Sequence, residues 1–145
     1  QVHFIKLRLM NEKGKEVSQN FYWRSNDKYE GRKTLTGPAT SGFEALSTLK
    51  QAKVKASVQG YVQEGREYVK VRVKNTSGVI AFFTQLQLTD EMGTPVRPAF
   101  FTDNFFSLLP GETREVVVDT KKTDGTQYRI VVKGWNQSRQ DILVK

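Results

Sequence analysis

The stretch Val69-Lys70-Val71-Arg72-Val73-Lys74 (residues 69–74) alternates valine with a basic residue at every step. Successive side chains of a β-strand point to opposite faces, so this stretch predicts a strand with one face in a core and one in water. The basic residues are interpreted as the solvated face rather than as a functional basic patch. The fold prediction therefore starts from one half-buried strand.

Similar patterns occur on both sides of this strand. Apolar residues recur at alternate positions, or nearly so, in segments 54–58, 82–88, 116–118, 130–132 and 142–144. Turn sequences occupy residues 89–95, 109–111 and 123–125. About seven short strands, with turns every 8–12 residues or so and almost no helix, are typical of an antiparallel β-sandwich of immunoglobulin type. A small β-barrel is the alternative architecture.

The N-terminal residues 1–23 predict a separate β-hairpin. Ile5, Leu7 and Leu9 alternate with basic residues, and Asn-Glu-Lys-Gly-Lys (11–15) has the composition of a hairpin turn. A second extended run completes the hairpin.

The segment that follows, residues 24–52, predicts a loop-rich linker, because its first part, residues 24–42, has no apolar period. Within it, a short helix is expected from Phe43 to Leu49, with Ser41 as its cap. The immunoglobulin-like sandwich is then predicted over residues 53–145.

Composition excludes several classes of function. The chain has 145 residues, 37% of them hydrophobic, which suffices for a real core. It has no cysteine and a single histidine, His3, which excludes disulfides, thiol catalysis, zinc sites of the Cys/His type and a catalytic triad built on any other histidine. No apolar run is long enough to span a membrane, and residues 1–10 are unlike a signal peptide.

The net charge of +8 raises nucleic acid or an acidic surface as a partner. The basic residues, however, alternate with apolar ones, and no five like charges are contiguous. We therefore expect no nucleic-acid partner and no membrane partner.

The acidic residues do not form a catalytic constellation. Asp90-Glu91 lies in the predicted turn at 89–95, which is too exposed to tune a carboxyl pKa for acid–base work. Asp103-Asn104 lies between Phe100-Phe101 and Phe105-Phe106 and is expected to turn the chain through side-chain hydrogen bonds. A calcium ligand is the alternative role for this pair. Without a glycine-rich phosphate loop either, no metal or cofactor site is predicted.

Two segments match the N-glycosylation acceptor pattern, Asn75-Thr76-Ser77 and Asn136-Gln137-Ser138. Three-residue matches arise often by chance, so they carry little weight without knowledge of burial.

Aromatic residues near polar ones are the better candidates for contact with a ligand or another domain. Trp23 and Arg24 end the hairpin, and Tyr29 and Arg32 follow in the linker. Trp23 is expected to pack between hairpin and sandwich, with sugar stacking as the alternative, and Arg24, Tyr29 and Arg32 are candidates for sugar hydroxyl contacts. Trp135 is predicted to end a strand and to pack in the core or at its rim.

A longer motif occupies residues 98–112, Pro-Ala-Phe-Phe-Thr-Asp-Asn-Phe-Phe-Ser-Leu-Leu-Pro-Gly-Glu. With Lys74-Asn75-Thr76-Ser77 and Ala81-Phe82-Phe83, it resembles the C-terminal immunoglobulin-like domain of glycoside hydrolase family 2, in the branch of exo-β-glucosaminidases and β-mannosidases. Asn20-Phe21-Tyr22-Trp23 resembles the end of the β-domain that precedes it. The residues that carry the structural motif are Asp103, Asn104, Phe105, Phe106, Pro110 and Gly111.

The resemblance implies a multidomain retaining β-glycosidase whose two catalytic glutamates belong to a (β/α)₈ barrel. One of those glutamates follows an asparagine, as Glu12 follows Asn11 here, but this pair lies in the hairpin turn and is rejected as catalytic. A barrel needs at least about 200 residues, so no catalytic residue is assigned to this chain.

The chain is thus interpreted as a non-catalytic accessory domain that packs on and supports the barrel, which hydrolyses terminal β-glycosidic bonds. Its expected partners are the other domains of the same polypeptide, with the carbohydrate substrate contacted only indirectly. A periplasmic or secreted location is expected rather than a cytoplasmic one. The alternatives are an independent carbohydrate-binding module and, prompted by the charge, a nucleic-acid-binding β-domain.

Overall fold

The alternating segments form two separate groups of strands. A computed structural model of the chain describes residues 2–25, 43–120 and 127–145. The chain divides into two compact units, Gln1–Leu49 and Lys50–Lys145. Each unit has its own sheets and is described by itself.

The first unit contains the predicted hairpin, in which β1 (Val2–Met10) and β2 (Glu16–Ser25) pair antiparallel. In the turn between them, the Asn11 side chain accepts a hydrogen bond from the backbone N–H of Lys15 (2.8 Å). Gly14 takes a φ of +71°, a conformation that residues with a Cβ avoid. The turn is therefore fixed by the residue types that predicted it.

The two faces of the hairpin differ. One face carries Ile5, Leu7 and Leu9, all of them exposed. On the other, the rings of Phe4 and Phe21 stack with their centroids 5.9 Å apart. Within this unit, a large apolar surface remains open to contact.

The helix predicted from Phe43 to Leu49 is a short 3₁₀-helix, Glu44–Thr48, and its predicted cap, Ser41, lies outside the described residues. Within the described ranges, no helix has the length and apolar character needed to cross a membrane.

The second unit is an antiparallel sandwich of two four-stranded sheets. Its strands are β3 (Val54–Gln63), β4 (Arg66–Asn75), β5 (Ala81–Thr89), β6 (Ala99–Phe101), β7 (Phe106–Leu108), β8 (Thr113–Thr120), β9 (Arg129–Gly134) and β10 (Gln137–Leu143). One sheet has the order β3-β4-β8-β6 and the other β10-β9-β5-β7. The immunoglobulin-like sandwich is confirmed, and two open sheets exclude the barrel alternative. The short strands β6 and β7, which the alternation did not reveal, bring the count to eight.

The valines of β4 form the centre of the core. Val69, Val71 and Val73 are almost fully buried, with Val71 opposite Val116 and Val69 opposite Val118 on β8. Burying each such side chain contributes about 1.5–3 kcal/mol relative to leaving it exposed. The facing sheet contributes Leu86, Leu88, Ile130 and Val132 to the same cluster.

Buried amides line one end of this core. Gln137 Nε2 donates to Phe82 O (3.1 Å) and to Thr84 Oγ1 (3.0 Å), and the Thr84 hydroxyl donates to Gln137 Oε1 (3.1 Å). Gln137 begins β10 directly after the β9–β10 turn, and its side chain reaches across to β5. The amide therefore links two strands that are not neighbours in the sheet.

The two glycosylation patterns have a structural explanation. Asn136 Nδ2 donates to Lys50 O and Ile80 O, both at 2.8 Å, and Asn75 Nδ2 donates to Val79 O (2.8 Å) and Leu108 O (3.0 Å). Both asparagines are buried. Their amide nitrogens are occupied inside the fold, so neither residue is an acceptor in the folded domain.

Gly134→Ala tests the buried glutamine. A Cβ at Gly134 would collide with the side-chain amide of Gln137 and force it to move. Displacing that amide from Thr84 and Phe82 leaves buried polar groups unsatisfied, so we expect a loss of about 1–3 kcal/mol in the free energy of unfolding, measured by urea denaturation.

Gly78→Ala is the matched control, because a Cβ there meets nothing within 4 Å. Its free energy of unfolding should change by less than about 0.5 kcal/mol. Equal effects of the two substitutions would contradict the role given to Gln137.

Candidate functional site

Two of the four candidate contact residues lie at the end of the hairpin. Trp23 is 41% exposed and lies opposite Phe4, and Arg24 lies opposite His3. Tyr29 and Arg32 lie outside the described residues. Trp23 and Arg24 follow each other on a strand, so their side chains leave the hairpin on opposite faces.

The acidic residues of the predicted turn have a structural role. Asp90 Oδ1 accepts a hydrogen bond from Thr94 N (2.8 Å), and Asp90 O accepts one from Gly93 N (3.1 Å), which closes the β5–β6 turn. Within residues 2–25, 43–120 and 127–145, no three His, Cys, Asp or Glu side chains gather where they could hold a metal ion.

The surroundings clearly move the pKa of the Asp141 carboxyl, which is in an ion pair. Arg139 Nε and Nη2 lie 2.8 and 2.7 Å from the Asp141 carboxylate, and this hydrogen bonding lowers the pKa of Asp141. A general acid needs the opposite shift, a raised carboxyl pKa. This pair is a surface ion pair and not acid–base machinery.

The motif at 98–112 carries the chain from one sheet to the other. β6 pairs with β8 in the first sheet, and β7 pairs with β5 in the second. Asp103 and Asn104 occupy the step between β6 and β7, where the sequence predicted a turn made by side-chain hydrogen bonds.

Asn104 substitutes for backbone at this step. Its Oδ1 accepts from Leu86 N (2.8 Å) and its Nδ2 donates to Leu86 O (2.9 Å), so the side chain pairs with β5 as a strand residue would. The same Oδ1 accepts from Phe105 N (3.0 Å). The amide of Asn104 thereby continues the hydrogen bonding between β5 and β7 beyond Phe106, the first residue of β7.

Phe105 and Phe83 share an unusual backbone conformation. Their φ angles are +55° and +53°, a region costly for residues with a bulky side chain. Phe83 lies where the β5–β7 register shifts, between Ala81 and Thr84, and its N–H donates to Ser107 Oγ (3.1 Å). The two rings meet with centroids 5.3 Å apart.

Phe106 and Asp103 both interact with Arg114. Phe106 begins β7 and is buried in the core, and the guanidinium of Arg114 lies 5.9 Å from its ring centroid. Asp103 Oδ2 lies 3.4 Å from Arg114 Nε. An ion pair and a cation–π contact thus join the crossover to the start of β8.

Pro110 and Gly111 make the turn from β7 to β8. Gly111 has a φ of +80°, and Glu112 N donates to Leu109 O (3.0 Å), as expected for a type II turn with proline and glycine at its centre. Glu112 Oε2 accepts from Leu109 N (2.9 Å), and Gly111 N donates to Asn75 O (3.1 Å). The Leu-Pro-Gly-Glu sequence is therefore accounted for by local structure.

Two features next to this motif were not predicted from the sequence. Phe83 interrupts the alternation of β5 with a bulge, and Trp135, predicted for the core or rim, lies in the β9–β10 turn with 57% of its surface exposed. The only available signal for the bulge was the adjacent pair Phe82-Phe83, because periodicity does not report backbone φ.

Asn104→Ala tests the paired amide. Removing it leaves Leu86 N and O without their partner, and we expect the free energy of unfolding to fall by about 1–3 kcal/mol in urea denaturation. Asn104→Asp, which keeps the size but loses the donor, should also destabilise the domain.

Gln59→Ala, at an exposed position on β3, is the control and should change stability by less than about 0.5 kcal/mol. A stability of Asn104→Ala equal to that of the control would refute the pairing role.

The two-sheet topology, with a chain that changes sheets at 99–108, defines an immunoglobulin-fold domain. The family model described as the exo-β-D-glucosaminidase Ig-fold domain matches residues 34–137. The chain belongs to that family.

Curated relatives agree with this assignment. The exo-β-D-glucosaminidase of Amycolatopsis orientalis is 31% identical over 97% of this chain, and that of Streptomyces avermitilis is 32% identical over 97%. The matched region is 15% and 17% of these proteins, respectively, so the chain spans about a sixth of their length. A mannosylglycoprotein endo-β-mannosidase of Lilium longiflorum is 27% identical over 66% of the chain.

The crystal structure of the Amycolatopsis orientalis exo-chitosanase CsxA is similar to the whole chain. It superposes with a TM-score of 0.83 at 30% identity, over 99% of this chain and 18% of that protein. The chain thus corresponds to the Ig-fold portion of much larger glycoside hydrolases, which confirms the resemblance to this branch of the family.

Proposed function

We propose that this chain is a non-catalytic accessory domain of a retaining β-glycosidase, and that it packs on and supports a catalytic (β/α)₈ barrel in the same polypeptide. The barrel would hydrolyse terminal β-glycosidic bonds of the kind that exo-β-D-glucosaminidases cleave. The observation that carries the proposal is the family match together with the small share, 15–18%, that the chain takes of its relatives.

The described carboxylates support a structural role. Many of them pair with a basic side chain or a backbone N–H of the same unit instead of standing together as a catalytic pair. These pairs are Glu16 with Arg8, Asp90 with Thr94, Asp103 with Arg114, Glu112 with Leu109, Glu115 with Lys70, Asp119 with Arg66, and Asp141 with Arg139.

We also propose the domain division expected from the sequence: residues 1–23 end a preceding β-domain, 24–52 link it to the sandwich, and 53–145 are the sandwich. The exposed Ile5, Leu7 and Leu9 on one hairpin face support this division. A two-stranded hairpin is marginally stable alone, so it gains most from a larger sheet that covers such a face.

Activity assays test the main proposal. The native polypeptide containing this chain should hydrolyse a chromogenic β-D-glucosaminide or β-mannoside, whereas the 145-residue chain alone should release no product. Hydrolysis by the chain alone would refute the non-catalytic assignment.

Calorimetric titration separates the runner-up function, an independent carbohydrate-binding module. Chitosan and mannan oligosaccharides injected into the 145-residue chain should give no heat of binding beyond dilution. Saturable heat would favour the binding module instead.

We further propose that Trp23, Arg24, Tyr29 and Arg32 contact the barrel or help to wall its substrate pocket. In the full enzyme, Arg24→Ala should raise KM about 2–10-fold with little change in kcat, because a lost ground-state contact weakens binding without changing the chemistry. Arg8→Ala, at the other end of the hairpin, is the control and should leave KM unchanged. Unchanged kinetics of Arg24→Ala would remove this residue from the pocket.

A further inference from the structure

Four aromatic side chains cluster at one end of the sheet β10-β9-β5-β7. Phe82 and Phe83 come from β5, Phe105 directly precedes β7, and Trp135 lies in the β9–β10 turn. Ring centroids are 5.7 Å apart for Phe82–Phe83, 5.3 Å for Phe83–Phe105 and 6.3 Å for Phe82–Trp135. We call these four residues the aromatic knob.

The aromatic knob has a buried base and exposed outer rings. Phe82 is buried, whereas Phe105 and Trp135 are 48% and 57% exposed. The backbone N–H of Phe82 donates to Asn136 Oδ1 (2.9 Å), and Phe82 O accepts from Trp135 N (3.0 Å). The backbone that carries Phe82 and Trp135 is therefore fixed by hydrogen bonds.

Two residues of the knob have a strained backbone conformation. Phe83 and Phe105 both have positive φ angles. This left-handed conformation costs about 1–3 kcal/mol for a residue other than glycine. Asparagine or glycine would take this conformation more cheaply, and Phe106 already fills the core beside Phe105. An aromatic side chain that is strained and half exposed indicates a surface used for contact.

Ring geometry distinguishes two kinds of contact. A flat platform, on which consecutive sugar residues could stack side by side, would be built from rings that share a plane. Here the interplanar angles are 40° for Phe82–Phe83, 45° for Phe83–Phe105 and 69° for Phe82–Trp135. Rings inclined to one another in this way suit an apolar recess in another protein surface, where a tryptophan and its neighbours act as buried anchors.

We propose that the aromatic knob docks into an apolar recess of another domain of the same polypeptide, and that this contact holds the sandwich in place. The inference rests on the proposed function, since it needs the accessory domain to belong to a larger enzyme. The relatives' solved structure supports that occupant, because the equivalent domain is only 18% of that protein. Large preorganised aromatic anchors lose little entropy on docking, which favours a permanent interface.

Hydroxyl-radical footprinting with mass spectrometry tests the proposal without requiring activity. Oxidation rates are measured for the 145-residue chain and for the full native polypeptide. Trp135 and Phe105 should be oxidised at least about fivefold more slowly in the full polypeptide, as expected for residues at the core of an interface. Met92, which is 92% exposed in the β5–β6 turn, normalises the radical dose.

Phe100 is the matched control, an aromatic residue 65% exposed on the sheet β3-β4-β8-β6. Equal oxidation of Trp135 in the two samples would overturn the proposal, and so would protection of Phe100 in place of Trp135. If Trp135 is protected in a long polypeptide that cleaves no β-glycoside, the docking stands and the proposed function fails. If the native polypeptide is no longer than this chain, both fail.

Variants separate docking from folding. In the full polypeptide, Trp135→Ser should increase the rate of proteolytic release of the sandwich about tenfold or more, since a lost anchor of this kind weakens an interface by at least a factor of that order. Phe100→Ser should leave the rate unchanged. In the 145-residue chain, Trp135→Ser should leave the midpoint of urea unfolding nearly unchanged, which shows that the domain still folds.

Titration of glucosamine hexamer into the 145-residue chain tests the alternative ligand of the aromatic knob, a carbohydrate. No change in tryptophan fluorescence is expected. A saturable change that Trp135→Phe abolishes and Trp23→Phe preserves would overturn docking and assign the knob to carbohydrate.

Discussion

Every buried backbone N–H and C=O must find a hydrogen-bond partner, and a chain that changes sheets loses the strand ladder that normally supplies one. In this domain, side-chain amides replace the ladder at such places. Asn104 pairs with both backbone groups of Leu86 where the chain passes from β6 to β7. Asn136 does the same for Phe82 N and Ile80 O at the start of β5.

The choice of amides follows from their chemistry. An amide offers an acceptor oxygen and a two-proton donor on one planar group, which matches a peptide unit in both respects. A carboxylate would place a negative charge against a carbonyl oxygen, and an aliphatic residue would leave both backbone groups unsatisfied. Asn75, fully buried, donates to Leu108 O and accepts from Ser77 N, and it thereby ties the end of β4 to β7. At this point the two sheets are joined by a side chain that contributes nothing apolar to the core.

This division explains what could be predicted from the sequence. Alternation reports which side chains are buried, so it located β3, β4, β5, β8 and β9 and predicted the sandwich. It does not report backbone φ or hydrogen bonding, so the bulge at Phe83 and the buried role of Gln137 were not foreseen. Asn75 and Asn136 matched a glycosylation pattern for the same reason, since three residues carry no information about burial.

The motif at 98–112 was informative because its residues interact with one another. Asn104, Phe106 and Gly111 each meet a demand that few residue types satisfy, namely an amide pair, a core ring and a positive φ. Such a combination identifies a family where single positions would not. For the candidate site, the sequence singled out Trp23 and Arg24 by their aromatic and polar neighbours, but Trp135 could be placed only once the β9–β10 turn was known.

The two outer faces of the sandwich differ in a way that the net charge alone conceals. On the sheet β3-β4-β8-β6, basic residues stand beside their own counter-ions: Arg66 Nη2 lies 2.7 Å from Asp119, and Lys70 Nζ lies 3.7 Å from Glu115. Exposed pairs of this kind contribute little to stability, but they keep a strand face wetted and discourage edge-on association. The other sheet also carries an ion pair, Arg139 with Asp141 on β10, and differs from the first by the aromatic cluster at its end. There Phe83 and Phe105 hold costly backbone conformations beside the exposed Trp135. An accessory domain needs such an apolar contact surface in addition to wetted strand faces, because part of its surface meets solvent and part meets another domain.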